Sequence, residues 1–157
     1  MKTAAVLTIS DSSFQGIRQD ISGPAVAREL TLAGFEVKHL AVLPDEFDQI
    51  KQELLASCAV ARLVVTVGGT GIAERDVTPE ATLAVIEKMI AGIPERMRAE
   101  GARKTPLAAL SRGVCGTRGH TLILNLPGSP KAAIESLQAV IKIVPHALDL
   151  LEGKTNH

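Results

Sequence analysis

Tryptophan and tyrosine are absent from the 157 residues, and only Phe14, Phe35 and Phe47 supply aromatic rings. Stacking on a flat heterocycle therefore has few side chains to draw on, and its recognition must rest on backbone and small polar groups. Net charge is also missing, because seventeen basic residues balance seventeen acidic ones. No overall field draws the chain to nucleic acid or to an anionic membrane surface, so any anionic ligand has to be held locally. Cysteine is scarce. Cys58 and Cys115 form no CxxC pair, which excludes a disulfide framework and a zinc site, and they read as buried or half-buried thiols. His39, His120, His146 and His157 lack the i, i+4 spacing that puts two ligands on one helical face. The common nucleotide loops GxxxxGK[ST] and GxGxxG do not occur. The opening MKTAAVLTIS is too short an apolar stretch for a signal peptide or a membrane span, so the cytoplasm is the expected compartment.

What is present is an alternation of short apolar runs and amphipathic stretches. Ala4 to Ile9 reads as a strand buried on both faces that gives way to the polar Ser10-Asp11. Ser22-Gly23-Pro24 opens a helix with Val26 and Leu30 on its apolar side, closed by Gly34. Glu36 to Leu43 is a second strand. Pro44-Asp45 starts a helix carrying Phe47, Ile50, Leu54 and Leu55 at helical spacing. Leu63 to Val67 is a third strand running into Gly68-Gly69-Thr70-Gly71, and a helix from Thr78-Pro79-Glu80 puts Leu83, Ile86 and Ile90 on one side. A further helical stretch covers Pro94 to Glu100. Leu110 to Thr117 and Thr121 to Leu126 read as a hairpin around Arg118-Gly119-His120. Pro127-Gly128-Ser129-Pro130 breaks the last strand, Lys131 to Leu151 reads as one long closing helix, and Lys154 to His157 as a frayed tail. The pattern predicts one α/β domain over residues 1–157, with a mostly parallel sheet covered on both faces and one antiparallel hairpin strand.

In such a sheet the ligand crevice lies outside the carboxyl ends of the strands. Three loops at those ends carry an aspartate: Asp11, Asp45 and Asp76. Gly68-Gly69-Thr70-Gly71 is nearly free of side chains and can bring backbone N–H groups close to a phosphate; a plain tight turn is the alternative reading. The loop continues through Arg75 and Asp76 to a helix start whose dipole favours anions. Thr78 and Pro79 fit either that site or a simple helix cap. Asp76, which precedes the cap, is read as linked to a metal. Pro127, Gly128, Ser129 and Lys131 repeat the logic at another strand end, as a second anion contact or a rigid turn. Ser111 and Arg112 offer a hydroxyl and a guanidinium to phosphate, against a surface role for the arginine.

Taken together, Ser10-Asp11 with Ser22-Gly23-Pro24, Leu43-Pro44-Asp45-Glu46, GGTGIAERDVTPEA from Gly68 to Ala81, TPLAALSRG from Thr105 to Gly113, and LNLPGSPKA from Leu124 to Ala132 resemble the molybdopterin adenylyltransferase family, whose domain also occurs in gephyrin. The resemblance runs in order through nearly the whole chain. It implies a three-layer αβα fold, usually trimeric, that transfers AMP from ATP to the phosphate of molybdopterin with Mg2+ present and releases pyrophosphate. It further implies that Asp45 and Asp76 serve the metal and the nucleotide reaction, that Gly68 to Gly71 form the phosphate loop, and that Ser10, Asp11 and Ser111 line the pterin and nucleotide site. Ser12-Ser13 and Glu100-Gly101 depart from residues common in the family. The competing readings are a protein of this fold that holds molybdopterin without catalysis, and a purely structural scaffold. Nucleotide-recycling relatives of the fold tend to carry a GLGPT-x-DD loop, and GGTGIAERD differs from it.

Overall fold

A computed structural model describes residues 1–155. Among them, β1 (Lys2–Ile9), β2 (Phe35–Leu43), β3 (Leu63–Val67), β4 (Lys88–Met89), β5 (Cys115–Arg118) and β6 (Thr121–Leu126) form one sheet in the order β2-β1-β3-β6-β5-β4. β2, β1, β3 and β6 are mutually parallel, and β5 runs antiparallel to both β6 and β4. The helices are α1 (Asp11–Phe14), α2 (Ser22–Leu32), α3 (Phe47–Val60), α4 (Thr78–Leu83), α5 (Gly92–Ala102), α6 (Pro130–Val140) and α7 (Val144–Leu151), with a 3-10 turn at Pro106–Leu110.

The central strands are buried on both faces, yet their residues alternate between two separate cores. Ala4, Val6, Leu63, Val65, Leu122 and Leu124 pack with Val26, Leu30, Leu137 and Leu148 from α2, α6 and α7. Ala5, Leu7, Val64 and Ile123 pack on the other face with Ile50, Leu54 and Ala81 from α3 and α4. A side-chain period of two thus splits a uniformly apolar run into two layers, which gives the three-layer αβα arrangement.

Several expected boundaries move. The helix beginning at Thr78 stops at Leu83, and Leu83 is exposed instead of inward. Val85 and Ile86 are β-branched and turn the chain toward β4, where the amide of Glu87 donates to the Thr117 carbonyl and that of Ile90 to Cys115. The expected helix from Lys131 to Leu151 is two helices, because Pro145 has no N–H to continue the first and instead sits in the opening turn of α7. β5 begins at Cys115, since the 3-10 turn takes up Leu110. Phe47 opens α3 and is exposed. The expected tail lies partly outside the described residues.

β2 follows β1 in the chain on one side, while β3 pairs with β1 on the other. The strand order therefore reverses between β1 and β3, and their carboxyl ends open the crevice in which open α/β sheets bind ligands.

Candidate active site

The loop leaving β3 begins with two glycines whose φ angles, 104° at Gly68 and 68° at Gly69, lie in the left-handed region. A methyl group on Gly68 would run into the Ile9 carbonyl, and one on Gly69 into the Thr78 hydroxyl. The backbone is then fastened by its carbonyls. That of Gly68 accepts from the Thr78 hydroxyl at 3.0 Å and that of Gly69 from the Thr78 amide at 3.2 Å. That of Thr70 accepts from the Arg112 amide at 2.8 Å, and that of Gly71 from Arg112 Nε at 2.7 Å. In a trans peptide the following N–H points opposite to the carbonyl. The inward carbonyls of Gly68, Gly69 and Thr70 accordingly leave the amides of Gly69, Thr70 and Gly71 turned away from the fold, the Gly71 carbonyl does the same for Ile72, and among the described residues none of the four amides donates a hydrogen bond. Thr78 is buried and ties the loop down by its hydroxyl; the N-cap position of α4 is Val77, and no side chain caps the helix.

The three strand-end aspartates meet at this loop. The amide of Asp11 donates to Oδ2 of Asp45 at 3.0 Å, and the amide of Asp45 to Oδ1 of Asp11 at 2.9 Å, joining the ends of β1 and β2. Arg75 lies across the pair, with Nε and Nη2 donating to the Asp11 carboxylate at 2.6 and 3.0 Å and Nη2 to Glu46 at 3.0 Å. Its hydrogen bond holds the Asp11 carboxyl below the usual carboxylate range. Asp45 shifts the other way: burial pushes its carboxyl up, and the charges of Asp11 and Asp76 add to the rise against the Asp11 amide, which lowers it. Asp76 accepts from the Ala73 amide at 3.1 Å. A methyl group on Gly69 would stand 3.1 Å from Asp45 Oδ1, and one on Gly71 2.8 Å from Asp76 Oδ2, so both carboxylates flank one loop.

A cleft of about 870 Å³ opens beside it, walled by Gly69, Thr70, Gly71, Asp76, Ser111, Pro127 and Gly128 on the sheet side. The volume falls in the upper part of the range of small-molecule sites. The Pro127-Gly128 turn lies against Gly68 and is anchored by Ser22, whose hydroxyl donates to the Gly128 carbonyl at 2.7 Å. Ser129 caps α6 by accepting from the Ala132 amide at 3.2 Å, and Lys131 is exposed and outside the cleft wall. Ser10, which caps α1, stands with Asp11 and Asp45 beside the loop and not on that wall. Arg112, read from the sequence as a phosphate contact, is engaged by the protein: its guanidinium meets the Gly71 carbonyl, the Asp76 carbonyl at 2.8 Å and Glu80 at 2.5 Å.

Residues 5–146 match the family model described as "Probable molybdopterin binding domain". The chain belongs to this family. Among its relatives is a molybdopterin adenylyltransferase of Helicobacter pylori strain J99, 42% identical over 153 residues that cover 94% of this chain and 86% of that protein. The Drosophila melanogaster molybdenum cofactor synthesis protein cinnamon is 44% identical over 95% of this chain, which spans only 25% of cinnamon's length. The crystal structure of a molybdopterin biosynthesis enzyme, MoaB of Thermus thermophilus, superposes with a TM-score of 0.89 at 52% identity and covers 98% of each chain. The tungsten cofactor synthesizing protein MoaB of Pyrococcus furiosus superposes with the same TM-score of 0.89, at 30% identity over 96% of this chain and 97% of its own.

As a molybdopterin-binding domain, the chain has a cleft wall that the sequence reading did not assign. α5 contributes Arg96, Met97 and Arg98, the 3-10 turn Leu107 and Leu110, and α6 Glu135 and Gln138, with Lys104 and Lys142 from the segments that follow α5 and α6. Arg98 Nη1 donates to the Gly113 carbonyl at 3.1 Å, and Lys104 meets Glu135 across the cleft at 3.1 Å. The available signal is the basic run from Arg96 to Lys104 just ahead of TPLAALSRG, but a charge run on a helix is ordinarily a solvated face, and only the packing of α5 on α6 places it on the cleft wall.

Proposed function

We propose that this protein adenylylates molybdopterin with ATP, in the synthesis of the molybdenum cofactor. The carrying observation is the loop after β3, where inward carbonyls leave three amides without a protein acceptor beside a cleft of about 870 Å³. Outward amides at the carboxyl end of a parallel strand form an anion-binding concavity for a polyphosphate. The names of the relatives support the specific substrates.

In this reading a phosphate oxygen of the pterin attacks the α-phosphorus of ATP. A new oxygen–phosphorus bond forms as the bond from that phosphorus to the bridging oxygen breaks, and pyrophosphate leaves with the electron pair. No covalent nucleophile is required of the protein, which positions two anions and offsets their charge. The amides of Gly69, Thr70 and Gly71 hold the polyphosphate, while Pro127 and Gly128 close the opposite edge. Ser111 faces the pterin and nucleotide, and Ser10 and Asp11 order the rim.

The donor set fits magnesium. The described residues hold no group of three or more metal-ligating side chains, so the ion would take one or two carboxylates, Asp76 first and Asp45 second, and complete its shell with phosphate and water. Held there by Asp76 and Asp45, it would offset charge on the α-phosphate and the departing pyrophosphate. The chain works in this reading as one molybdopterin-binding unit over residues 1–157, a cytoplasmic homotrimer without nucleic-acid or membrane partners. The even charge balance supports the absence of such partners, and light scattering tests the trimer.

Incubation with molybdopterin, ATP and magnesium should yield adenylyl-molybdopterin and pyrophosphate in equal amounts. Pterin binding with no ATP-dependent product would instead support a non-catalytic carrier.

A further inference from the structure

Arg112 is the residue whose connections exceed any role given to it by its place in the sequence. Its amide donates to the Thr70 carbonyl at 2.8 Å, Nε to the Gly71 carbonyl at 2.7 Å, and Nη2 to the Asp76 carbonyl at 2.8 Å. The remaining arm meets Glu80 on α4 at 2.5 Å. One side chain thus bridges both ends of the Gly71–Asp76 excursion. Arg98 steadies the segment from behind, donating to the Gly113 carbonyl, and Asn125 accepts from the Val114 amide at 3.1 Å.

The consequence is directional. A carbonyl held inward forces the next N–H outward, so the Arg112 side chain, by holding the Gly71 carbonyl, decides which way the Ile72 amide faces and, by holding the Asp76 carbonyl, how far Asp76 stands from the loop, while its backbone amide holds the Thr70 carbonyl whatever the side chain. Only a planar fork does this; a lysine ammonium is a point charge on a flexible stem and cannot hold carbonyls at two separated positions together with Glu80. We infer that Arg112 is a positioning residue whose side chain pins the far end of the phosphate loop, fixing the Ile72 amide and the placement of Asp76 against Gly71, without touching phosphate. The inference rests on the reading that this loop binds polyphosphate.

The two roles open to a cation here are separated by lysine. If Arg112 met the phosphate directly, Arg112→Lys would keep the charge and most of the affinity, whereas Arg112→Gln would lose it. As a positioning residue, both substitutions should weaken binding alike, by roughly tenfold to a hundredfold, the worth of one or two hydrogen bonds to a charged group. Calorimetric titration of the full-length protein with inorganic pyrophosphate, then with ATP, reads this out. The KM for ATP should rise with the affinity loss while the KM for molybdopterin stays within about twofold. Glu80→Gln, which loosens only the anchor of the fork, should give a smaller loss in the same direction.

Wild-type affinity in Arg112→Lys overturns the inference, as does an equal rise in both KM values. Should Arg112→Gln not fold, the Arg112→Lys titration decides alone. Wild-type protein that binds pyrophosphate tightly yet forms no adenylylated product would sink the proposed activity and leave the role of Arg112 standing; wild-type protein that binds neither pyrophosphate nor ATP would remove both.

Discussion

Asp45 and Asp11 are neighbours with opposite electrostatics, and the difference has measurable consequences. Burial raises the Asp45 carboxyl, so its charged form is a cost to the fold at neutral pH that is relieved as pH falls through the raised value towards the ordinary carboxylate range. Arg75 lowers the Asp11 carboxyl, so that contribution is present above the ordinary carboxylate range and is lost as pH falls through the depressed value. Asp45→Asn keeps an oxygen for the Asp11 amide while removing the desolvated charge. Thermal denaturation should therefore show unchanged or slightly raised stability, within about 1 kcal/mol, alongside weaker magnesium-dependent turnover. Asp76→Asn, at the carboxylate that faces the cleft, should depress turnover far more than pterin affinity, because the lost charge serves the metal and the transition state. Equal loss of both would count against its assignment. Gly69→Ala combines a left-handed φ with a clash against the Thr78 hydroxyl, and should cost about 1–3 kcal/mol and most of the nucleotide affinity; a chemical denaturation curve with calorimetry checks both. At this scale the aspartates and glycines are legible in the sequence because their residue types announce the chemistry. Arg112 is not, since a guanidinium engaged by carbonyls reads the same as one awaiting phosphate.

Among the elements, the apolar strands Leu63–Val67 and Thr121–Leu126 emerge directly from composition, because a parallel central strand is apolar on both faces. What stays hidden depends on partners distant in sequence. β4 is two residues long and exists only because β5 offers its open edge, and Pro145 inside an amphipathic pattern divides a helix that periodicity alone would continue. A buried polar set beneath the loop is hidden in the same way: Asn125 on β6 donates to Thr66 of β3 at 2.9 Å and to Thr82 of α4 at 3.0 Å. Asn125→Leu would leave these hydroxyls and the Val114 amide without their partner. It should destabilise by about 2–4 kcal/mol in a denaturant titration, the range for breaking a buried network. A loss below about 1 kcal/mol would show that the set does not hold α4 and β6 together.

For the whole molecule, strand order decides where chemistry is possible. The reversal between β1 and β3 brings Asp11, Asp45 and the Gly68 loop to one rim, and β6 adds the Pro127 turn beside them. Sequence order alone anticipated that rim, but not the second wall from α5 and α6, because the packing of those helices joins residues far apart in the chain. The proposed function requires that amides turned outward from the loop after β3 receive the polyphosphate of ATP. Its most direct test is a titration of isotopically labelled protein with ATP and magnesium, following backbone amide resonances. The largest shifts should fall on Gly69, Thr70 and Gly71; saturable binding that leaves those three unmoved while resonances elsewhere shift would contradict the account.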